Sequence, residues 1–269
     1  MAKTVLVTGA SAGIGKATAI YLAQNGYNVY GAARRKEKLE ELTKHGVKPI
    51  ALDITKDENI ITCVNQIFNE VGSIDILVNS AGLGSYGALE DVPMEEARNQ
   101  MEINLFGVAR LIQLALPKMR ENKFGKIVNI SSIGGKVGLP LGNWYHASKF
   151  AIEGLSDCLR LDVKQFGVDV IVIEPGGTKS EMIENGTADL MRVSGKTVYQ
   201  NLAKNVSEMY AETAKKAIEP IEIAKLIKKG IEAKCPKARY AAKNAKPFLI
   251  MRKILSDRLF DKMLMSQMK

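Results

Sequence analysis

The stretch Thr4-Val5-Leu6-Val7-Thr8-Gly9-Ala10-Ser11-Ala12-Gly13-Ile14-Gly15 decides the fold. Its first five residues read as a strand covered on both faces, the habit of a parallel sheet. A glycine-rich turn follows and opens into the helical stretch Ile14–Asn25. Glycines let a backbone approach a phosphate closely, and a helix N-terminus favours an anion. Gly9, Ser11, Ala12, Gly13, Ile14 and Gly15 are therefore candidate contacts of a dinucleotide. The spacing is G-x-x-x-G-x-G, not G-x-G-x-x-G, which points to a separate branch of dinucleotide-binding proteins. A plain strand-to-helix turn is the alternative for this loop taken alone.

The same alternation runs outward along the chain. Apolar runs recur at Asn28–Ala32, Val47–Leu52, Ile74–Asn79, Lys126–Ser131 and Asp169–Glu174. Helical stretches separate them at Lys36–His45, Asp57–Val71, Met94–Arg120 and Tyr145–Phe166. Ala238–Ala242 completes a seventh strand, after an amphipathic helix over Pro220–Ala233. The expectation is one α/β domain over 1–269, a doubly wound, Rossmann-like parallel seven-stranded sheet flanked by helices. Ligands of such sheets bind beyond the carboxyl ends of the strands.

Composition narrows the classes. The 269 residues are 46% hydrophobic and 25% charged, which suits a globular chain and argues against disorder or a disulfide scaffold. Cys63, Cys158 and Cys235 are isolated and form no CxxC pair, and only His45 and His146 could supply imidazole. No metal site is expected, and a reducing, cytoplasmic location is. Met1-Ala2-Lys3 runs straight into the first strand, so no secretory signal is read, and no apolar run reaches transmembrane length.

The net charge of +9 is lopsided. Residues 215–269 hold 15 Lys and Arg against 5 Asp and Glu, a net of +10, whereas residues 1–214 hold 23 against 24. Beyond the seventh strand, Met251, Leu255, Leu259 and Met263 recur at helical spacing over Phe248–Met268 with basic residues between them. This basic amphipathic tail, 245–269, can pack on the body, contact a second subunit or touch an anionic membrane surface weakly. A nucleic-acid role is not expected, because no stacking aromatics interleave the charges.

Two further sites carry chemistry. Many NAD-binding folds place an acid at the end of the second strand for the ribose 2′-hydroxyl. Here Ala33 stands there, followed by Arg34 and Arg35. Guanidinium pairs with a 2′-phosphate, so NADP (NADPH) is favoured over NAD. Farther on, Tyr145 and Lys149 lie one helical turn apart on one face. An ammonium near a phenol favours the phenolate and suits the pair to proton transfer. Ser132 at the end of one strand, Asn79-Ser80-Ala81-Gly82 at the end of another, and Asn104 among apolar helix neighbours keep this pair company. His146, about 100° around the helix from Tyr145, reads as structural.

Together these motifs resemble the short-chain dehydrogenase/reductase family, continuously over residues 4 to about 180. The family's TGxxxGxG loop falls on Thr8 to Gly15 and its catalytic tetrad on Asn104, Ser132, Tyr145 and Lys149. Its NNAG motif falls on residues 79–82, with Ser80 in place of the second Asn. Its PG motif falls on Pro175-Gly176, followed by Thr178 and Ser180, either of which could meet the nicotinamide carboxamide. Asp53 and Ile54 match its adenine contact, and Asn79, Ala81 and Gly82 join the cofactor set. The resemblance implies that Tyr145 acts as general acid in reduction, with Lys149 lowering its pKa. Ser132 would orient the substrate oxygen, and Asn104 would hold a relay water. It implies a homodimer or homotetramer built on paired helices such as Met94–Arg120 and Tyr145–Phe166. It also implies a substrate lid over 180–217, carrying Met182, Ile183, Leu190, Met191, Met209 and Tyr210. Val137, Leu139, Leu141 and Trp144 are expected on one wall of the substrate site, and Gly82, Leu83, Gly84 and Tyr86 on the other. The run Pro236 to Tyr240 resembles steroid- and retinoid-active members. The expected substrate is thus a small, bulky hydrophobic alcohol or ketone, such as a hydroxysteroid, bile acid or other lipid-like carbonyl. A non-catalytic NADP(H)-binding regulator and a membrane-surface lipid ketone reductase are the alternatives.

Overall fold

The computed structural model describes residues 2–266, apart from the side chains at 183 and 184. Among the described residues, seven parallel strands form one sheet in the order β3-β2-β1-β4-β5-β6-β7. They are β1 Thr4–Thr8, β2 Asn28–Ala33, β3 Val47–Ala51, β4 Ile76–Asn79, β5 Gly125–Ile130, β6 Val168–Glu174 and β7 Arg239–Ala241. Strand residues point alternately to the two faces. Val5 and Val7 accordingly join one core cluster with Leu22, Ile223 and Ile227, while Leu6 joins another with Ile67, Leu111 and Ile152. Helices α1 (Gly13–Gln24), α2 (Lys36–Glu40) and α9 (Pro220–Glu232) contribute to the first face. Helices α3 (Asp57–Val71), α5 (Gly107–Glu121) and α6 (Asn143–Val163) contribute to the second. Strand order reverses between β1 and β4, and the crevice beyond their carboxyl ends is the place where such sheets bind ligands.

Three expected helices are interrupted. Lys36–His45 yields α2 followed by a 3-10 turn at Thr43–His45, where the Thr43 hydroxyl donates to the Glu40 carbonyl at 2.7 Å. Met94–Arg120 splits into α4 (Met94–Met101), a π-helical turn at Glu102–Phe106, and α5. Such a bulge often marks a functional position; this one carries Asn104. The tail is two helices, α10 (Lys246–Ile254) and α11 (Asp257–Ser266), rather than one. Leu255 is extended, Ser256 offers its carbonyl to the Phe260 N–H at 2.9 Å, and α11 opens with Asp257. Serine and aspartate favour helix starts. The break turns Phe260 and Leu264 onto Val137. The expected tail positions 267–269 lie outside the described residues.

Between β6 and α9, helices α7 (Glu181–Ser194) and α8 (Gln200–Lys215) pack on each other through Leu190, Ala203 and Val206, with Tyr86 and Leu141 beneath them. No described helix is long and apolar enough to cross a membrane.

Candidate active site

The turn after β1 is shaped by two glycines. Gly9 has φ +68°, and a Cβ there would lie 2.9 Å from the Ala81 backbone across the crevice. Gly13 has φ +51° and begins α1. Ala12, the residue capping α1, supplies no side-chain acceptor, and no acid sits in the first turn. The helix therefore keeps its N-terminal N–H groups open to an anion. These features form the wall of a cavity of about 430 Å³ that also gathers Ser11, Arg34, Arg35, Asp53, Ile54, Ala81 and Gly82. A dinucleotide fits this cradle of open N–H groups and close backbone.

Arg35 donates to Ser11 Oγ from Nε at 3.2 Å and from Nη2 at 3.0 Å. Its Nη1 meets Glu181 at 2.9 Å, and Lys38 meets the other Glu181 oxygen at 2.9 Å. Thus the first residue of α7 is tied to the basic end of β2. Arg34 is exposed, and its charge is felt by Asp53. Burial alone would raise the Asp53 carboxyl, but the Thr55 N–H and hydroxyl, with Arg34, bring it below its ordinary value. Two residues of the expected nucleotide set line neither this cavity nor the one beside it. Gly15 packs α1 onto the loop, where a Cβ would strike the Gly9 carbonyl at 2.3 Å. Asn79 is buried and donates to Asn129 Oδ1 at 2.8 Å, which joins β4 to β5.

A second cavity, about 510 Å³, shares Ser80, Gly82 and Met182 with the first. It gathers Ile14, Ser132, Tyr145, Lys149, Pro175, Gly176, Thr178 and Ser180. Tyr145 and Lys149 sit on successive turns of α6, with Lys149 Nζ 5.9 Å from the phenol ring centroid. Lys149 donates to the Ile130 carbonyl at 2.9 Å, which anchors it to the end of β5. Ser132 hydrogen-bonds Tyr145, and its Oγ accepts the Gly134 N–H at 3.0 Å. Burial dominates the electrostatics here. It raises the Tyr145 phenol above its ordinary value, against the Ser132 hydrogen bond. It also pushes Lys149 down to about 8, against the pull of Glu153. The phenol is thus raised by burial and opposed by Ser132, where a lowering by Lys149 was expected.

Asn104 is bound into the loop at the end of β4. Its Nδ2 donates to the Leu83 carbonyl at 2.8 Å and to Ser148 Oγ at 2.9 Å, while Oδ1 accepts the Leu83 N–H at 2.8 Å. Both amide protons are engaged, so the side chain fixes the 81–84 loop beside Lys149, and a relay water would be held by an acceptor oxygen of this residue. Thr178 and Ser180 both line the cavity and both already donate to carbonyls, of Gly176 at 3.1 Å and Thr178 at 3.2 Å. Either hydroxyl is left to accept. His146 is buried and structural. Its Nδ1 meets the Gly134 carbonyl at 2.9 Å and its Nε2 accepts the Leu139 N–H at 3.1 Å, pinning the segment that precedes Tyr145.

The walls of this cavity differ in part from expectation. Leu139, Gly82 and Tyr86 line it, as do Met182, Met209 and Tyr210. Val137 packs instead under the tail, and Leu141 under α7 and α8. Trp144 lies outside the lining, and Leu83 and Gly84 face the nucleotide cavity. The Ile183 side chain lies outside the described residues. Tyr86 stands with its ring centroid 5.4 Å from both Tyr145 and Tyr210, so three phenols meet at the candidate reaction centre. Sequence reasoning missed Asn244, Phe248 and Leu264 as lining residues. Asn244 donates to the Gly177 carbonyl at 2.8 Å and would touch any Cβ on Gly176. Nothing in its local sequence signals this; the inward turn of Leu264 was hidden by the unrecognised helix start at Ser256.

A doubly wound sheet with a nucleotide cradle joined to a Ser–Tyr–Lys pocket defines an oxidoreductase of the nicotinamide-dependent kind. A family model described as short chain dehydrogenase matches residues 3–190. The chain belongs to that family. A 3-ketodihydrosphingosine reductase from Bacteroides thetaiotaomicron is 42% identical over 181 residues, spanning 67% of this chain and 66% of that protein. An NADPH-dependent 3-dehydrocapnine reductase from Ornithobacterium rhinotracheale is 33% identical over 98% of this chain and 96% of its own. The crystal structure of a short-chain dehydrogenase from Streptomyces avermitilis superposes with a TM-score of 0.83 at 30% identity, covering 97% of this chain and 94% of that one.

Proposed function

We propose that this protein is an NADPH-dependent reductase of a lipid-like ketone, with a long aliphatic chain favoured over a rigid steroid. The observation that carries this reading is the 510 Å³ cavity, walled by Leu139, Met182, Met209, Phe248 and Leu264, with Tyr145 and Ser132 at its base. Its size suits a small-molecule site. Methionines on the wall can mould to a flexible chain. The names of the two relatives, a sphingoid ketone reductase and a 3-dehydro-compound reductase, support the same class.

The residues divide the work. The open N-terminus of α1 and Arg34 would hold the cofactor's phosphates, and Asp53 with Ile54 the adenine side. Absence of a carboxylate at Ala33 favours a 2′-phosphate. Bound there, the cofactor supplies the hydride. Ser132 orients the substrate oxygen, and Tyr145 delivers a proton to it. Lys149, fixed by Ile130, holds the nicotinamide ribose and stabilises the phenolate left behind. Asn104 acts through the 81–84 loop. Residues 180–217 form the lid, and Glu181 links that lid to the 2′-phosphate site. The exposed Phe106, Phe150 and Leu161 around α5 and α6 favour a dimer through that face.

The test is NADPH oxidation at 340 nm with long-chain 3-keto amines, 3-keto lipids and ketosteroids. Turnover of a long-chain ketone, lost about 10²-fold or more in Tyr145→Phe, supports the reading. NADPH binding without turnover of any ketone would favour a cofactor-binding regulator and sink it.

A further inference from the structure

One exposed surface is used by neither the sheet nor the cavities. Helix α10 places Lys246, Ile250, Lys253 and Ile254 at i, i+4, i+7 and i+8, along one helix face. Ile250 is 56% exposed and Ile254 75%. On α11, Leu259 is 55% exposed, with the exposed Lys262 one turn on. The opposite sides of these two helices are committed. Phe248 and Leu264 line the larger cavity, and Phe260 packs on Val137. The exposed members of that cavity's lining include Lys216 and Asn244, and Asn244 lies just before α10. The cavity mouth therefore adjoins the apolar, basic face.

We propose that the outer face of α10 and α11 docks on an anionic lipid bilayer and presents the cavity mouth to it. This deepens the lipid-ketone reading and rests on it for the purpose of docking, though not for the docking itself. Charge complementarity argues for the bilayer. The net charge of +10 over residues 215–269 contrasts with −1 over the remainder. Asp257, the next acid after α10 in the chain, is already paired with Arg252 at 2.6 Å. Exposed aliphatic side chains interleaved with lysines match a boundary that is apolar within and anionic at its headgroups. A protein partner would be expected to find aromatic anchors at the centre of the patch; the exposed apolar side chains here are aliphatic, with the exposed Arg258 beside them. A long-chain ketone resides in a bilayer, so docking there brings substrate to the mouth without transit through water.

Co-sedimentation of the full chain with vesicles tests this. The expected result is binding to mixed phosphatidylglycerol–phosphatidylcholine vesicles, weakened about tenfold or more on pure phosphatidylcholine or in high salt. Ile250→Glu/Ile254→Glu should lower binding about tenfold or more with an unchanged melting curve, since both side chains are exposed. Lys246→Glu/Lys253→Glu should do the same and abolish the preference for phosphatidylglycerol. Equal binding to both vesicle types, no binding, or unaltered binding by both variants would overturn the proposal. So would a double variant that halves the mass in solution but binds vesicles as before, because the face would then belong to a second copy. Vesicle binding requires no turnover: docking with no ketone reduced sinks only the functional reading, and reduction without docking sinks only this one.

Discussion

At the scale of single residues, the proposed mechanism makes Lys149 the group that sets the pH behaviour. In that mechanism, reduction needs a protonated Tyr145 and a charged Lys149. Burial holds the phenol above its ordinary value, so Lys149 loses its proton first, at about 8. We expect kcat/KM for reduction to be level below that pH and to fall above it. Glu153, one turn farther along α6, supports the ammonium charge. It is itself held by Lys136 at 2.6 Å and Arg239 at 2.9 Å, beside Glu174. Glu153→Gln should therefore move the alkaline limb to lower pH, read from a pH–rate profile. The same burial has a cost in stability. An unfolded lysine titrates at about 10.4, so below pH 8 both states carry the charge and folding bears a penalty of roughly 3 kcal/mol. Between about 8 and 10.4 the unfolded chain binds more protons, so stability rises with pH across that window. Lys149→Met should thus melt higher at pH 7, by about 2 kcal/mol after loss of the Ile130 hydrogen bond, while turnover collapses. Arg34 and Glu181 act at the other end of the site. Arg34→Ala should weaken NADPH about tenfold and leave NADH unchanged, since one charge-assisted contact is worth roughly 1.5–3 kcal/mol. Glu181→Gln should tighten NADPH by freeing Arg35 and Lys38. Calorimetric titration of both cofactors checks each; equal effects on NADH and NADPH would exclude a 2′-phosphate contact.

At the scale of elements, most of the site was legible because it lies where strands end. The runs that became β1, β2, β4, β5 and β6 are short and largely apolar without alternation, the pattern of strands covered on both faces. The Gly9 turn, Arg34, Ser132, Tyr145 and Lys149 follow from chain order alone. What escaped depends on side-chain commitments made in three dimensions. Asn104 carries a recognisable motif, but its amide is spent on Leu83 and Ser148. Val137 and Leu139 are two residues apart, yet only Leu139 faces the cavity. Periodicity likewise ran on through the tail, because Met251, Leu255, Leu259 and Met263 keep helical spacing across the break. The bend matters, for α11 returns Phe260 to a buried position, 3% exposed, against Val137. Phe260→Ala should cost about 3–5 kcal/mol. Because Leu264 on the same helix lines the cavity, KM for a long-chain ketone should rise while NADPH affinity stays put. Thermal unfolding and the two constants, measured together, check this; a stability loss with an unchanged KM would leave α11 a brace and no part of the substrate site.

At the scale of the whole molecule, the remaining exposed apolar surface is distributed unevenly. Phe106 is 55% exposed at the π-helical turn and Phe150 47% on the neighbouring α6, one residue after Lys149. Burying two phenylalanines from each copy would remove large apolar areas from water, at about 25 cal/mol per Å². A two-fold dimer satisfies this with one self-complementary face. It would also brace α6, the helix that carries Tyr145 and Lys149, so assembly and catalysis share an element. Phe150→Glu places one carboxylate from each copy in that face while leaving the inward side of α6 untouched. We expect light scattering to give twice 29.4 kDa for the wild type and 29.4 kDa for the variant. Turnover should fall with dissociation and recover as protein concentration is raised. A variant that stays dimeric would move the interface elsewhere, and a monomer with full activity would separate the brace from the chemistry.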